Sequence, residues 1–123
     1  MQIDIQARGF KLTEAIRTYC NRRLRFALGS MVGDVHSVTI RLADQNGPRG
    51  GIDKRCSIRV TLRDAPLVII LQEDTDLYVA IDRAVDRASR TAARRLDKTL
   101  SNRRAPDPLP GDEQGGDARD SNS

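Results

Sequence analysis

Lys54-Arg55-Cys56-Ser57-Ile58-Arg59-Val60-Thr61-Leu62-Arg63-Asp64-Ala65-Pro66-Leu67-Val68-Ile69-Ile70-Leu71 alternates, breaks and resumes. Cys56, Ile58, Val60 and Leu62 fall on one side of an extended chain, and Arg55, Ser57, Arg59, Thr61 and Arg63 on the other. That period of two marks a half-buried strand over about 54–64. Asp64-Ala65-Pro66 supplies a tight turn. Leu67 to Leu71 reads as the partner strand, so the two form a hairpin. Val68 and Ile70 leave this second strand apolar on both faces, and self-association through an edge strand at 67–71 is one expected consequence.

Downstream, the period changes to that of a helix over about 75–100, roughly 38 Å long at 1.5 Å per residue. Thr75 or Asp74 is the expected cap, with Glu73, Asp74 and Asp76 complementing the helix dipole. Leu77, Ile81, Ala84, Val85, Ala88, Ala92 and Leu96 fall within an arc of about 100–220° measured from Arg83. Arg83, Arg87, Arg90, Arg94 and Lys98 fill a stripe about 80° wide on the other side. The acids Asp82, Asp86 and Asp97 flank that stripe rather than interleave with it. An ordinary solvated helix would mix signs at i,i+4 spacing.

Upstream, residues 35–43 alternate, with His36, Val38, Ile40 and Leu42 expected on the apolar face. A Gly/Pro-rich loop from Asp44 to Asp53 separates this strand from the hairpin. A helix over about 13–28 carries the apolar stripe Ala15, Ile16, Tyr19, Cys20, Leu24 and Ala27, with Thr13 as N-cap and Gly29 as the expected stop. Arg23 lies in that stripe, where its stem can run along the apolar surface with its head in water. Residues 2–8 alternate as a short strand ended by Gly9. The order is β-α-β-β-β-α, an α+β fold with a four-stranded sheet and both helices on one face. The first two strands, joined through a helix, are expected to be parallel, and the last three antiparallel. Residues 1–102 make one domain; 103–123, with Pro106-Asp107-Pro108-Leu109-Pro110-Gly111, form a tail expected to be disordered.

Charge divides along the same boundary. Residues 1–105 hold 20 of the 21 cations and 12 of the 17 acids, a net +8, while 106–123 carry one cation and five acids, a net −4. Only Lys11, Lys54 and Lys98 are lysines. Arginine's planar fork pairs bidentately with phosphate, so a basic, arginine-rich body points to RNA ahead of an anionic membrane or solubility alone. Arg22 and Arg25 extend the basic surface onto the first helix; Arg55, Arg59 and Arg63, with Arg41, extend it onto the strands. Aromatic residues are 3% of the chain, so shape and backbone recognition is expected rather than base stacking. The acidic tail is expected to fold back and screen the stripe.

Catalytic groupings are missing. His36 is the only histidine, and two cysteines without short spacing read as buried thiols rather than a zinc site or disulfide. Gly47, Gly50 and Gly51 precede a strand rather than a helix, unlike a phosphate-cradling loop. The expectation is a non-enzyme with no cofactor, no metal, no small-molecule substrate and no membrane partner. Met1-Gln2-Ile3-Asp4 has no basic start, so no export leader is expected and a cytoplasmic location follows.

Glu73-Asp74-Thr75-Asp76-Leu77-Tyr78-Val79-Ala80-Ile81-Asp82 resembles the signature that opens the long basic helix of the ribosome hibernation promoting factor family, also known through the sigma-54 modulation proteins. Met1-Gln2-Ile3-Asp4-Ile5 and Leu12-Thr13-Glu14-Ala15-Ile16-Arg17 resemble that family's first strand and helix. The resemblance covers about residues 1–100 and is to the short form, without the separate C-terminal dimerisation domain. It implies a fold similar to double-stranded-RNA-binding domains. It also implies docking on the small ribosomal subunit where mRNA and tRNAs sit, with translation silenced under stress. By that resemblance Arg83, Arg87, Arg90, Arg94 and Lys98, with Arg22 and Arg25, would meet ribosomal RNA. The other functional readings are a general module for structured RNA and a regulator whose basic face binds an acidic protein.

Overall fold

Three cross-strand pairs form the centre of the core: Val38 with Val60, Ile40 with Ile58, and Leu42 with Cys56. Every one of these side chains is buried. They lie where the alternation puts them, on β2 (Val35–Asp44) and β3 (Lys54–Leu62). The computed structural model describes residues 1–45 and 52–104, with side chains through Ser101. β1 (Gln2–Arg8) runs parallel to β2, aligning Ile3 with Val38 and Ile5 with Ile40. β4 (Val68–Asp74) runs antiparallel to β3, aligning Val68 with Val60 and Ile70 with Ile58. The sheet order is β1-β2-β3-β4. Two helices, α1 (Glu14–Leu28) and α2 (Leu77–Arg104), complete the expected order, with a 3₁₀ turn at Gly29–Met31. The Asp44–Asp53 loop falls largely on residues 46–51, outside the described residues; of the tail expected over 103–123, Arg103 and Arg104 instead continue α2, and 105–123 lie outside the described residues.

Several local expectations give way to neighbouring contacts. His36 is exposed rather than packed: the β2–β3 pairing shifts register between Val35 and Ser37, which inserts one extra residue, turns Val35 inward and His36 outward. Gly29 has φ −59°, so it ends α1 by leading into the 3₁₀ turn and not through a left-handed cap. Ala15, assigned to the apolar stripe, is exposed.

β4 continues to Asp74, three residues beyond the apolar run. Glu73 therefore faces Arg55 across the sheet, its carboxylate accepting from Arg55 Nε at 3.1 Å and Nη2 at 2.9 Å. The helix cap falls to Asp76, whose Oδ1 accepts from the backbone N–H of Tyr78 at 2.8 Å and Val79 at 3.4 Å. Asp74 instead organises the entry, accepting from the N–H of Thr75 and Asp76 at 2.8 and 3.2 Å. Those donors, the Asp76 N–H foremost, hold its carboxyl below the usual range.

Both helices lie on one sheet face. α2 buries Ala80, Ile81, Ala84, Val85, Ala88, Ala92 and Leu96, and α1 buries Cys20, Leu24 and Leu28. A polar junction sets their relative position. Tyr19 Oη donates to Asp82 Oδ1, and the Tyr19 ring meets Tyr78 edge-on with centroids 4.8 Å apart. Arg23 Nε donates to the same Asp82 oxygen at 3.0 Å, and its Nη2 to Asp86 Oδ1 at 3.2 Å. Residue 19 meets 82 and residue 23 meets 82 and 86, so the contacts ascend together and the helices run parallel.

Gly9 follows β1 with φ +85°, and a Cβ there would stand 2.5 Å from the Asp44 carbonyl oxygen. Gly9→Ala combines left-handed strain with a backbone clash, and is expected to cost about 2 kcal/mol in urea unfolding. The hydrogen bond to Asp82, then burial, raise the Tyr19 phenol to about 12 from its ordinary 10.0. The raised value stabilises the folded state fully below pH 10, and that contribution is lost as pH rises through about 12. In a Tyr78→Phe background, spectrophotometric titration of Tyr19 should show this high midpoint, and Asp82→Asn should bring it back towards 10.0.

Candidate nucleic-acid interface

The cationic stripe of α2 divides into side chains that hold the sheet and side chains that face away from it. Arg87 Nη1 donates to the Leu71 carbonyl and to Gln72 Oε1, both at 2.9 Å. Arg95 Nη1 donates to the Leu67 carbonyl. Carbonyls 67 and 71 have the same parity along the chain and lie on the outer margin of β4, away from β3. Two guanidiniums thus occupy acceptors that an incoming strand would use. Arg83 lies 3.5 Å from Asp74 Oδ2, although its side chain remains 63% exposed.

Arg90, Arg94 and Lys98 form the outer part of the stripe. Arg90 lies at about −20° on the helix wheel, opposite a buried arc centred near 160°. It is exposed, and Arg94 is half-buried with only a 3.4 Å contact from Nη2 to Thr91 Oγ1. Among the described residues neither is ion-paired. Asp82 and Asp86, two of the three acids beside the stripe, are instead engaged with Arg23 from α1, while Asp97 is exposed. On α1, Arg22 and Arg25 are exposed in the same helical layer.

The expected strand cations lie elsewhere. Arg55 and Arg59 project from the opposite face of the sheet, Arg55 paired with Glu73 and Arg59 exposed. Arg63 is exposed beyond the end of β3, in the turn before β4. The structure therefore brings together Arg22, Arg25, Arg83, Arg87, Arg90, Arg94 and Lys98, and leaves Arg55, Arg59 and Arg63 off the helical layer. On the open sheet face the side chains of Leu67, Ile69 and Leu71 are exposed. Arg87 and Arg95 occupy two acceptors on the strand margin, while these side chains remain open on the sheet face.

Two residues escaped the sequence reading. Arg95 falls at about 120° on the α2 wheel, inside the apolar arc, where only the reach of its side chain signals a contact beyond the helix. Phe26 on α1 is 83% exposed; the wheel puts it about 160° from Leu24, a phase that was available but outweighed by the scarcity of aromatics.

Both cysteines are buried and free. Burial raises the Cys20 thiol to about 11 and pushes Cys56 up further, so both stay protonated and are weak nucleophiles and ligands. Among the described residues no three His, Cys, Asp or Glu side chains converge as metal ligands. No helix there is long and apolar enough to cross a membrane.

Comparisons with known proteins bear on the family and the fold. The model of the sigma 54 modulation protein / S30EA ribosomal protein family matches residues 3–100. The crystal structure of the Thermus thermophilus Protein Y N-terminal domain is 33% identical, with a TM-score of 0.63 over 76% of this chain and 98% of that one. A ribosomal subunit interface protein from Coxiella burnetii is 16% identical, with a TM-score of 0.62 over 76% and 99% of the two chains, a likeness of fold alone. No curated protein matches the sequence. With the family model spanning the sheet and nearly all of both helices, the chain belongs to the sigma 54 modulation protein / S30EA ribosomal protein family.

Proposed function

We propose that this protein docks on the small ribosomal subunit at the mRNA and tRNA sites and silences translation there, as a hibernation factor of stressed bacterial cells. The contact is to ribosomal RNA through the helical layer. The observation that carries this reading is the placement of Arg90, Arg94 and Lys98 along the outer face of α2, in the same helical layer as the exposed Arg22 and Arg25 of α1. The flanking acids Asp82 and Asp86 point into the inter-helix junction and pair with Arg23. Family membership supports the ribosome as the polyanion, and supports a binding role over an enzymatic one. A ribosomal partner would also place the protein in the cytoplasm.

Contacts of this kind are made to phosphates, which give affinity and orientation without reading sequence. Position on the ribosome then comes from shape, with two parallel helices matching the relief of folded RNA. Arg83 and Arg87 contribute to the field while bracing the β4 end of α2, so their loss would mix binding with fold.

The test is co-sedimentation of the full chain with purified small subunits and with intact ribosomes. Wild type should comigrate at physiological salt, with log affinity falling against log salt by about 0.7–0.9 per phosphate contact. Reversing Arg90→Glu and Arg94→Glu together should abolish comigration while circular dichroism and urea unfolding stay as in wild type. Comigration that survives the double reversal would remove this face as the docking surface. A wild-type protein that does not comigrate would remove the ribosome as its partner.

A further inference from the structure

Phe26 is the most exposed large apolar side chain of the described residues, at 83%. The chain has only two phenylalanines, two tyrosines and no tryptophan. Phe10 packs against the core, and Tyr19 and Tyr78 are engaged edge-to-face with each other. Phe26 alone keeps more than four fifths of its surface open. The fold does not require it: the buried side of α1 is filled by Cys20, Leu24 and Leu28.

Its surroundings are cationic. At 100° per residue, Phe26 lies about 40° round the helix from Arg22 and about 60° from Arg23. Arg22 and its neighbour Arg25 are exposed. The Tyr19–Asp82 and Arg23–Asp86 contacts fix the parallel register of the two helices. Extending that register by one turn brings residues 26–27 of α1 abreast of 89–90 of α2, where Arg90 is exposed. The ring thus stands in the helical layer with arginines before it, beside it and on the neighbouring helix.

We propose that Phe26 stacks on an unpaired base of the RNA bound to this face. This inference rests on the ribosomal reading above and adds a contact to a base where the arginines contact phosphates. An unstacked base needs an apolar π-face, and its flanking phosphates need cations; this arrangement offers both. An apolar pocket on a protein partner fits less well, because seating the ring there would strip water from Arg22, Arg25 and Arg90 without supplying phosphates to pair them. Stacking is sequence-tolerant and insensitive to salt, so it would anchor the protein where a base is splayed out, with the salt-dependent contacts spread around it.

The test measures affinity for purified small subunits across a salt series, using the full chain and the variants Phe26→Ala, Phe26→Leu and Phe26→Trp. The site is exposed, so circular dichroism should show each of the three variants folded. Phe26→Ala should weaken binding about tenfold with an unchanged salt slope. Phe26→Trp, which keeps a π-face, should bind about as well as wild type, whereas Phe26→Leu should be as weak as Phe26→Ala. Wild-type affinity in Phe26→Ala would overturn the proposal. Retained affinity in Phe26→Leu would also overturn it, by showing an apolar protein pocket in place of a base. If wild type itself does not bind subunits, the ribosomal reading falls and this inference falls with it; loss confined to the Ala and Leu variants leaves both standing.

Discussion

The carboxylate of Asp82 is the point on which the helical layer turns. It accepts from Tyr19 and from Arg23, and so joins two helices through residues 63 and 59 positions apart in the chain. Arg23 then reaches on to Asp86, one turn along α2. These groups are partly exposed, with side chains 28% open at Arg23, 41% at Asp82 and 55% at Asp86. Ion pairs with that much water contribute little stability, on the order of 0–1 kcal/mol each. Their consequence is geometric: the parallel course of the two helices follows from the strand order, and these contacts join the helices at matched positions along it. They also draw the flanking acids of α2 towards α1, away from the outer arginines. Stability comes from the sheet rows and from the helix faces that cover them.

α2 meets the sheet through small side chains. Ala80, Ala84, Ala88 and Ala92 are fully buried, each one turn from the next. A face of methyl groups allows the helix axis to approach the strands closely, within the range of side-chain contacts that sets helix packing distances. Closeness is what lets Arg87 and Arg95 reach the Leu71 and Leu67 carbonyls at the margin of β4. The arginine content of this helix therefore has two causes. Part of it closes an open strand margin, a standing hazard for sheet proteins, and part of it, Arg90 and Arg94, faces away from the sheet without an ion-pair partner among the described residues. A count of cations along the helix overstates the charge available for binding.

That division explains how far the sequence could be read. Strand and helix periods at Cys56–Leu62 and Ala84–Leu96 were legible because each buries one side against a single layer, so the element order, the parallel β1–β2 pair and the one-sided helices followed. His36 was not, because one inserted residue inverts a period of two and nothing local announces the insertion. The helix cap was misplaced by one or two residues because Asp74, Thr75 and Asp76 are all competent caps, and only the continuation of β4 decides among them. Arg87 and Arg94 look alike on a helical wheel; what separates them is an edge strand lying beside the first. The strand cations were assigned to the same surface because alternation distinguishes inside from outside but not one layer's outside from the other's.

The two outer surfaces of this fold point in opposite directions, with the sheet between them. The helical layer carries cations with an aromatic ring among them. The open sheet face carries Arg59 beside Ile69 in register, with Arg55 already neutralised by Glu73. Phosphate contacts accumulate with the number of unpaired cations on one side, so under the proposed docking through the helices the exposed Arg59 of the other sheet face would act chiefly through the long-range field. Affinity in the docked state then depends on how well the helical layer is preorganised. A layer whose register is fixed by Tyr19, Arg23, Asp82 and Asp86 before any ligand arrives loses little freedom on binding, and more of each phosphate contact appears as net affinity.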